Sequence, residues 1–185
     1  MTQEKIKEIQ NKIGVVADGF WGPKSIAACQ RYLRKLMPVP NSWPKTDQSS
    51  LTAFYGMAGD ESKLTTIDVT GLGVKYDGKT VKTIRCHQRV SASLRRVLQS
   101  LGCHKDILAK YAGCFNDRQM RGGSLPSLHA RGAAIDLDPD NNGNHTSWPA
   151  RASIPLEVME AFAKEGWISA GAFWGRDAMH FQATR

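Results

Sequence analysis

Four side chains in the C-terminal third of this 185-residue chain have the types and spacing for metal-assisted hydrolysis. His129 and Asp136 stand seven positions apart, separated by small and apolar residues, and Asp177-Ala178-Met179-His180-Phe181 adds a second imidazole with an acid three residues before it. A catalytic zinc uses three protein ligands, drawn from His and carboxylate, and keeps a fourth position open. His129, Asp136 and His180 form such a set, which leaves Asp177 over. A carboxylate beside a zinc site can take a proton from water and later return it to a departing amine. Gly132 and the Ala133-Ala134 pair would let the backbone approach a metal closely. The plain alternative is a core histidine, a second satisfied histidine and two surface acids, and the residue types alone leave both readings open.

The elements that would hold these residues are short. Ala133 to Leu137 and Met179 to Gln182 are apolar runs that suit core strands, each carrying one or more of the candidate ligands. Val74 to Val81 has Asp77-Gly78 between alternating runs and predicts a hairpin. Leu94, Val97, Leu98 and Leu101 predict a helix stopped at Gly102, and Pro155, Leu156, Met159 and Phe162 another, stopped near Gly166. The expected fold class is α+β: a small antiparallel sheet with flanking helices holding a zinc site, plus a short N-terminal helical module.

That module is a helical hairpin. Ile6, Ile9 and Ile13 lie at helical spacing, and Asp18-Gly19-Phe20-Trp21-Gly22-Pro23 supplies a turn with Pro23 placed to begin a second helix. Ile26, Cys29 or Gln30, Leu33 and Met37 continue the apolar stripe until Pro38. Residues 38–50, rich in proline and turn formers, predict a linker, with a short helical segment within Leu51 to Leu64 weakened by Gly56 and Gly59. The expected division is 1–37 for the module, 38–65 for linker and docking segment, and 66–185 for the body that carries the site.

The net charge of +8 favours polyanionic partners, and residues 1–36 hold seven basic and three acidic residues, half of that excess. No zinc finger or nucleic-acid motif accompanies it, so no nucleic-acid partner is expected. No apolar run approaches the roughly 18–20 residues of a membrane span, and the charged N-terminus does not resemble a secretory signal. Synthesis in the cytoplasm without a signal peptide is therefore expected. Cys29, Cys86, Cys103 and Cys114 lack paired spacing and are expected to be buried free thiols, with a structural zinc on Cys86-His87 and Cys103-His104 disfavoured. His87, His104 and His145 are expected to be structural or surface residues. Asp138-x-Asp140-x-Asn142-Gly143 matches the first half of a calcium loop but meets Pro149 at the twelfth position, so a simple turn is the better reading.

Ser127-x-His129-x-x-Gly132-x-Ala134-x-Asp136 followed by Asp177-x-Met179-His180-Phe181 resembles the zinc peptidases of the D-alanyl-D-alanine carboxypeptidase and L-alanyl-D-glutamate endopeptidase group. The resemblance spans roughly residues 85–182. Phage endolysins that cut peptidoglycan stem peptides belong to this group. The resemblance implies Zn2+ on His129, Asp136 and His180, and Asp177 as the catalytic base. It implies that Arg118, with Arg121 as a close rival, contacts substrate and the developing oxyanion, and that Ser127 helps bind substrate, though a local turn hydrogen bond explains Ser127 as well. Gln182 stands where many members carry Glu, and its amide oxygen can still orient His180. Gln10, then Asp18-Gly19-Phe20-Trp21-Gly22-Pro23-Lys24-Ser25, resembles the peptidoglycan-binding module of cell-wall hydrolases without its usual closing helix; a stabilising helical extension is the alternative. Together these imply a monomeric endolysin, with bacterial peptidoglycan as partner, that cleaves the L-alanyl-D-glutamate bond for host lysis. It would reach the wall in the periplasm after a separate protein permeabilises the membrane. A D-Ala-D-Ala type carboxypeptidase and a non-catalytic zinc-containing wall-binding protein are the alternatives.

Overall fold

Thr2 starts the first helix: its hydroxyl accepts from the Lys5 N–H, and Ile6, Ile9 and Gln10 then face inward along α1, Gln3–Lys12. These elements belong to a computed structural model that describes residues 2–185. Pro23 sits in the first turn of α2, Pro23–Leu36, where its missing N–H leaves nothing unpaired. The buried face of α2 is Ser25, Ala28, Cys29 and Leu33: Cys29 and Leu33 of the expected stripe face inward, but Ile26 turns outward, because the face is set by the helices α2 packs on. Those partners are α7, Leu156–Lys164, and α8, Ala170–Trp174. Tyr32 donates to Glu160, Lys12 pairs with Glu157 and Glu160, and Trp21 meets Trp148 edge-on. Ile9, Cys29 and Leu33 share one apolar core with Tyr55, Phe162 and Phe181.

Residues 38–50 do not hang free as a flexible linker would. Trp43 is buried, its indole N–H donating to the Glu165 carbonyl, and the Asn41 amide donates to that of Gly166. Prolines here restrict the chain to a path it follows across the body. Helix α3, Gln48–Tyr55, begins before Leu51 because Asp47 caps it through the Ser50 N–H, and it stops at Gly56 with φ +89°.

The body is α+β, with small antiparallel sheets between flanking helices. Strand β1, Leu64–Asp68, pairs with β4, Thr83–His87; β2, Lys75–Tyr76, and β3, Lys79–Thr80, form the expected hairpin, with Asp77 and Gly78 both at positive φ. Helix α4, Ser91–Ser100, buries Leu94, Val97 and Leu98. The sheet that matters for the site has the order β5-β6-β8-β7: Tyr111–Gly113, Ala134–Leu137, His180–Gln182 and Ile168–Ser169. Period-two alternation sorts β6 and β8 into two faces. Ile135 pairs with Phe181, and Phe181 stacks on Phe162 in the core; Asp136 pairs with His180 on the other face. Among the described residues, no helix is long and apolar enough to cross a membrane.

Candidate metal centre

Asp136 and His180 meet because they are register partners on neighbouring strands, the closest placement a sheet offers. His129 reaches them from a 3-10 turn, Leu128–Arg131, that precedes β6. Ser127 caps this turn, its hydroxyl accepting from the His129 N–H at 3.3 Å, so the local bond expected of it is present while the residue also lines the cleft. Gly132 ends the turn at φ +64°, where a Cβ would come within 2.8 Å of the His87 backbone nitrogen. The close approach that requires glycine is thus to β4, not to a metal as its position between two ligands had suggested. The His87 N–H donates to the Gly132 carbonyl at 2.8 Å and fixes that crossing.

The three candidate ligands are all buried, with ligand atoms that lie within 4.8 Å of one another. His129 Nε2 is 3.1 Å from His180 Nδ1 and 3.2 Å from Asp136 Oδ1, and His180 Nδ1 is 3.0 Å from the same oxygen. Tetrahedral zinc with bonds of about 2.0–2.1 Å would hold its ligands roughly 3.3–3.4 Å apart, close to what is found. The outer hydrogen bonds test the fit further. The Gln182 amide nitrogen donates to Thr184 Oγ1 at 2.7 Å, which turns its Oε1 toward His180 Nε2 at 3.1 Å. His129 Nδ1 faces the Cys114 carbonyl at 2.8 Å. Both outer partners only accept, so both outer nitrogens carry hydrogen and the inner nitrogens of neutral rings are bare lone pairs. Two such nitrogens and a carboxylate oxygen converge with no hydrogen between them, and a cation is what satisfies that arrangement. The donor set, two imidazoles and one carboxylate, suits zinc.

The titration behaviour has the same sense. Burial opposes ionisation of Asp136, but with no cation in the centre a proton on the facing nitrogen of His129 or His180 would hydrogen-bond it and hold the carboxyl below its ordinary range. Burial likewise opposes a charged His180, and Asp136 outweighs it, raising that ring's proton affinity. The cluster attracts positive charge.

Asp177 differs. It sits on the loop between α8 and β8 with φ +58°, a conformation Asp tolerates better than most residues. Its Oδ1 is buried and accepts no hydrogen bond, and burial raises its pKa above the ordinary carboxylate value. Two hollows flank the triad and meet at Asp136, Arg118 and Arg121. One lies over His180 and contains Asp177, Trp174 and Arg176; the other lies over His129 and contains Tyr76, Arg85 and Tyr111. Arg118 is half-buried, with Nη1 donating to the Gln119 carbonyl at 3.2 Å, while Arg121 is exposed and its charge is felt by Asp177. Both rival arginines therefore reach the cleft.

Other expectations divide. Cys29, Cys86 and Cys114 are buried free thiols, but Cys103 is exposed: it follows the end of α4 in a surface turn, where no apolar layer covers it. His87 bonds the Tyr55 carbonyl and the Arg89 N–H, not a metal. Asp138 binds Lys110, Asn141, Asn142 and Ser153, and residues Pro139–Asn142 form a short helical turn, α6, so these side chains serve a local turn. Trp174, which stacks on His180 with centroids 5.7 Å apart, was not anticipated, nor were Thr184 and the Cys114 carbonyl. Trp174 stands three residues before Asp177, and that proximity was the available signal. The other two act through a neighbour's orientation, which only the fold reveals.

No curated protein and no solved structure matches the chain. A family model described as D-alanyl-D-alanine carboxypeptidase does match, over residues 121–183. That stretch, roughly a third of the chain, is similar to the family and contains His129, Asp136, Asp177 and His180 together with Arg121, while Arg118 and the N-terminal hairpin lie outside it.

Proposed function

We propose that the protein is a zinc-dependent peptidoglycan peptidase that hydrolyses an amide bond of the stem peptide. The observation that carries this reading is the convergence of three bare ligand atoms beside a carboxylate with an unfilled acceptor. His129, Asp136 and His180 would hold the metal. When bound, zinc supplies Lewis acidity toward the scissile carbonyl and the attacking water. Asp177 takes the proton of that water on its carboxylate, whose Oδ1 has no protein donor, and returns it to the departing amine. Arg118, with Arg121 beside it, stabilises negative charge that develops on the carbonyl oxygen. Gln182 and the Cys114 carbonyl hold the two imidazoles in the tautomers that face inward. Ser127 positions substrate at the cleft wall.

The bond we favour is L-alanyl-D-glutamate, in an endolysin acting on the wall during host lysis. Support comes from the two hollows: a cleft open on both flanks of the triad accommodates chain on either side of the scissile bond, as an endopeptidase requires. A D-Ala-D-Ala type carboxypeptidase is the second reading, favoured by the description of the matching family. We assign residues 1–37 as the peptidoglycan-binding-like part, 38–65 as the connecting and docking segment and 66–185 as the peptidase, working as a monomer. Digestion of purified peptidoglycan by the zinc-loaded protein, followed by mass spectrometry of the muropeptides, tests the activity and the bond. New glutamate amino groups are expected. Release of D-alanine instead would establish the carboxypeptidase, and wall binding without any new amino group would overturn the enzyme reading.

A further inference from the structure

The cleft holds more cationic charge than its own acids use. Arg118, Arg121 and Arg176 all line the hollow over His180, and among the described residues none forms an ion pair with a protein carboxylate. Arg96, exposed on α4, shows the contrast: two of its nitrogens grip Glu165 at 2.8 and 2.7 Å. Arg118 and Arg121 reach both hollows, whereas Arg176 lines only the one that contains Asp177.

The backbone fixes where Arg176 stands. The Trp148 N–H donates to the Gly175 carbonyl at 3.1 Å, and Arg176 bridges antiparallel to Ser147. Gly175 at φ +73° and Asp177 at φ +58° turn the chain on either side of it. Trp174, Arg176 and Asp177 consequently all line one hollow. Trp174 stacks on His180, stays 48% exposed and lines this hollow.

The direction in which substrate lies follows from the proton, given the peptidase reading above. Asp177 returns a proton to the departing amine, so that nitrogen must come within hydrogen-bond reach of it. The residue that owns the amine therefore occupies the hollow walled by Trp174 and Arg176. We infer that this hollow is the specificity site for the departing residue, and that Arg176 reads a carboxylate on it while Trp174 forms an apolar wall. A guanidinium with no protein partner matches a carboxylate as a two-pronged donor. The chemical class of substrate is a peptide whose residue after the scissile bond bears a free α-carboxylate. A γ-linked glutamate has one; the same residue amidated to a carboxamide does not.

Two synthetic stem peptides that differ only in this group, acid against carboxamide, test the assignment. The zinc-loaded wild-type protein is expected to cleave the acid with a kcat/KM about 10- to 100-fold higher, the range charge-assisted hydrogen bonds give. In Arg176→Gln that ratio should fall below about threefold, mainly through KM of the acid peptide, and Arg176→Lys should restore part of it. Calorimetry with the metal-free protein supplies a second readout: its affinity for the acid peptide over the carboxamide should narrow in the same way. An undiminished ratio in Arg176→Gln, or an equal loss on both peptides, overturns the assignment. A wild-type protein that digests peptidoglycan yet shows no preference overturns it too, leaving the peptidase reading intact. Failure to cut either peptide or peptidoglycan overturns the peptidase reading and this inference together.

Discussion

Two polar clusters in this molecule are built on buried side chains, Gln10 and Ser25 in one and His129, Asp136 and His180 in the other, and they differ in whether they are complete. In the N-terminal hairpin the two hydrogens of the Gln10 amide nitrogen are shared among Asp18, the Phe20 carbonyl and Ser25, while its oxygen accepts from the Gly19 N–H. Donors meet acceptors throughout, and the cluster ties α1 to the loop that starts α2. In the sheet, His129, Asp136 and His180 turn lone pairs toward one another, and every hydrogen they carry points away from the centre. A buried polar group left without its complement costs free energy. The first cluster is satisfied by the fold alone; the second is satisfied only when a cation joins it. Completeness, more than burial or residue type, separates a structural polar cluster from a functional one.

The largest expected effect comes from breaking the second cluster. His180→Ala should leave no zinc bound at stoichiometric concentration after dialysis, read by elemental analysis, with peptidoglycan cleavage lost. Asp177→Asn sharpens the comparison because it removes a basic carboxylate that the proposed metal ligands do not include, while keeping the side chain's shape. Zinc content should stay at wild-type level while kcat falls by roughly 10²–10⁴, and retention of near-wild-type turnover would refute the role given to Asp177. Gln10→Ala breaks the first cluster instead. It should lower unfolding stability by about 3 kcal/mol in urea titrations, with zinc content unchanged once the protein is folded. Gln182→Leu removes only an outer partner of His180, and zinc affinity measured against a chelator should drop about 10- to 100-fold.

The smallest effect concerns His87, a buried imidazole that is complete when neutral. Its Nε2 donates to the Tyr55 carbonyl and its Nδ1 accepts from the Arg89 N–H. Burial lowers its pKa below the ordinary value of about 6.5. The unfolded chain then binds the proton more readily, so stability is full above that value and falls as pH drops through it. The urea midpoint of the wild-type protein should decline over this window, and in His87→Gln the decline should be shallower.

Much of this was legible in the chain. The Asp77-Gly78 hairpin, the helices that stop before Gly102 and Gly166, and the apolar runs around Asp136 and His180 follow from periodicity and turn chemistry acting over a few residues. What was not legible depends on neighbours distant in sequence. Ile26 turns outward because α7 and α8 select another face of α2, and Cys103 is exposed because nothing packs over its turn. Residues 38–50 look like a spacer by composition, yet Trp43 and Asn41 bind carbonyls more than 120 residues away.

The sequence by itself determined which residues are candidates for a ligand set and a spare acid, because His, Asp and a fixed spacing have the same chemistry wherever the chain goes. Tertiary structure alone decided that the two imidazoles present bare nitrogens to one point, since the Cys114 carbonyl and Gln182 must first be brought to their outer edges. It also decided that Trp174, Arg176 and Asp177 share one hollow, because the side on which a loop residue lies is set by what its backbone is pinned to.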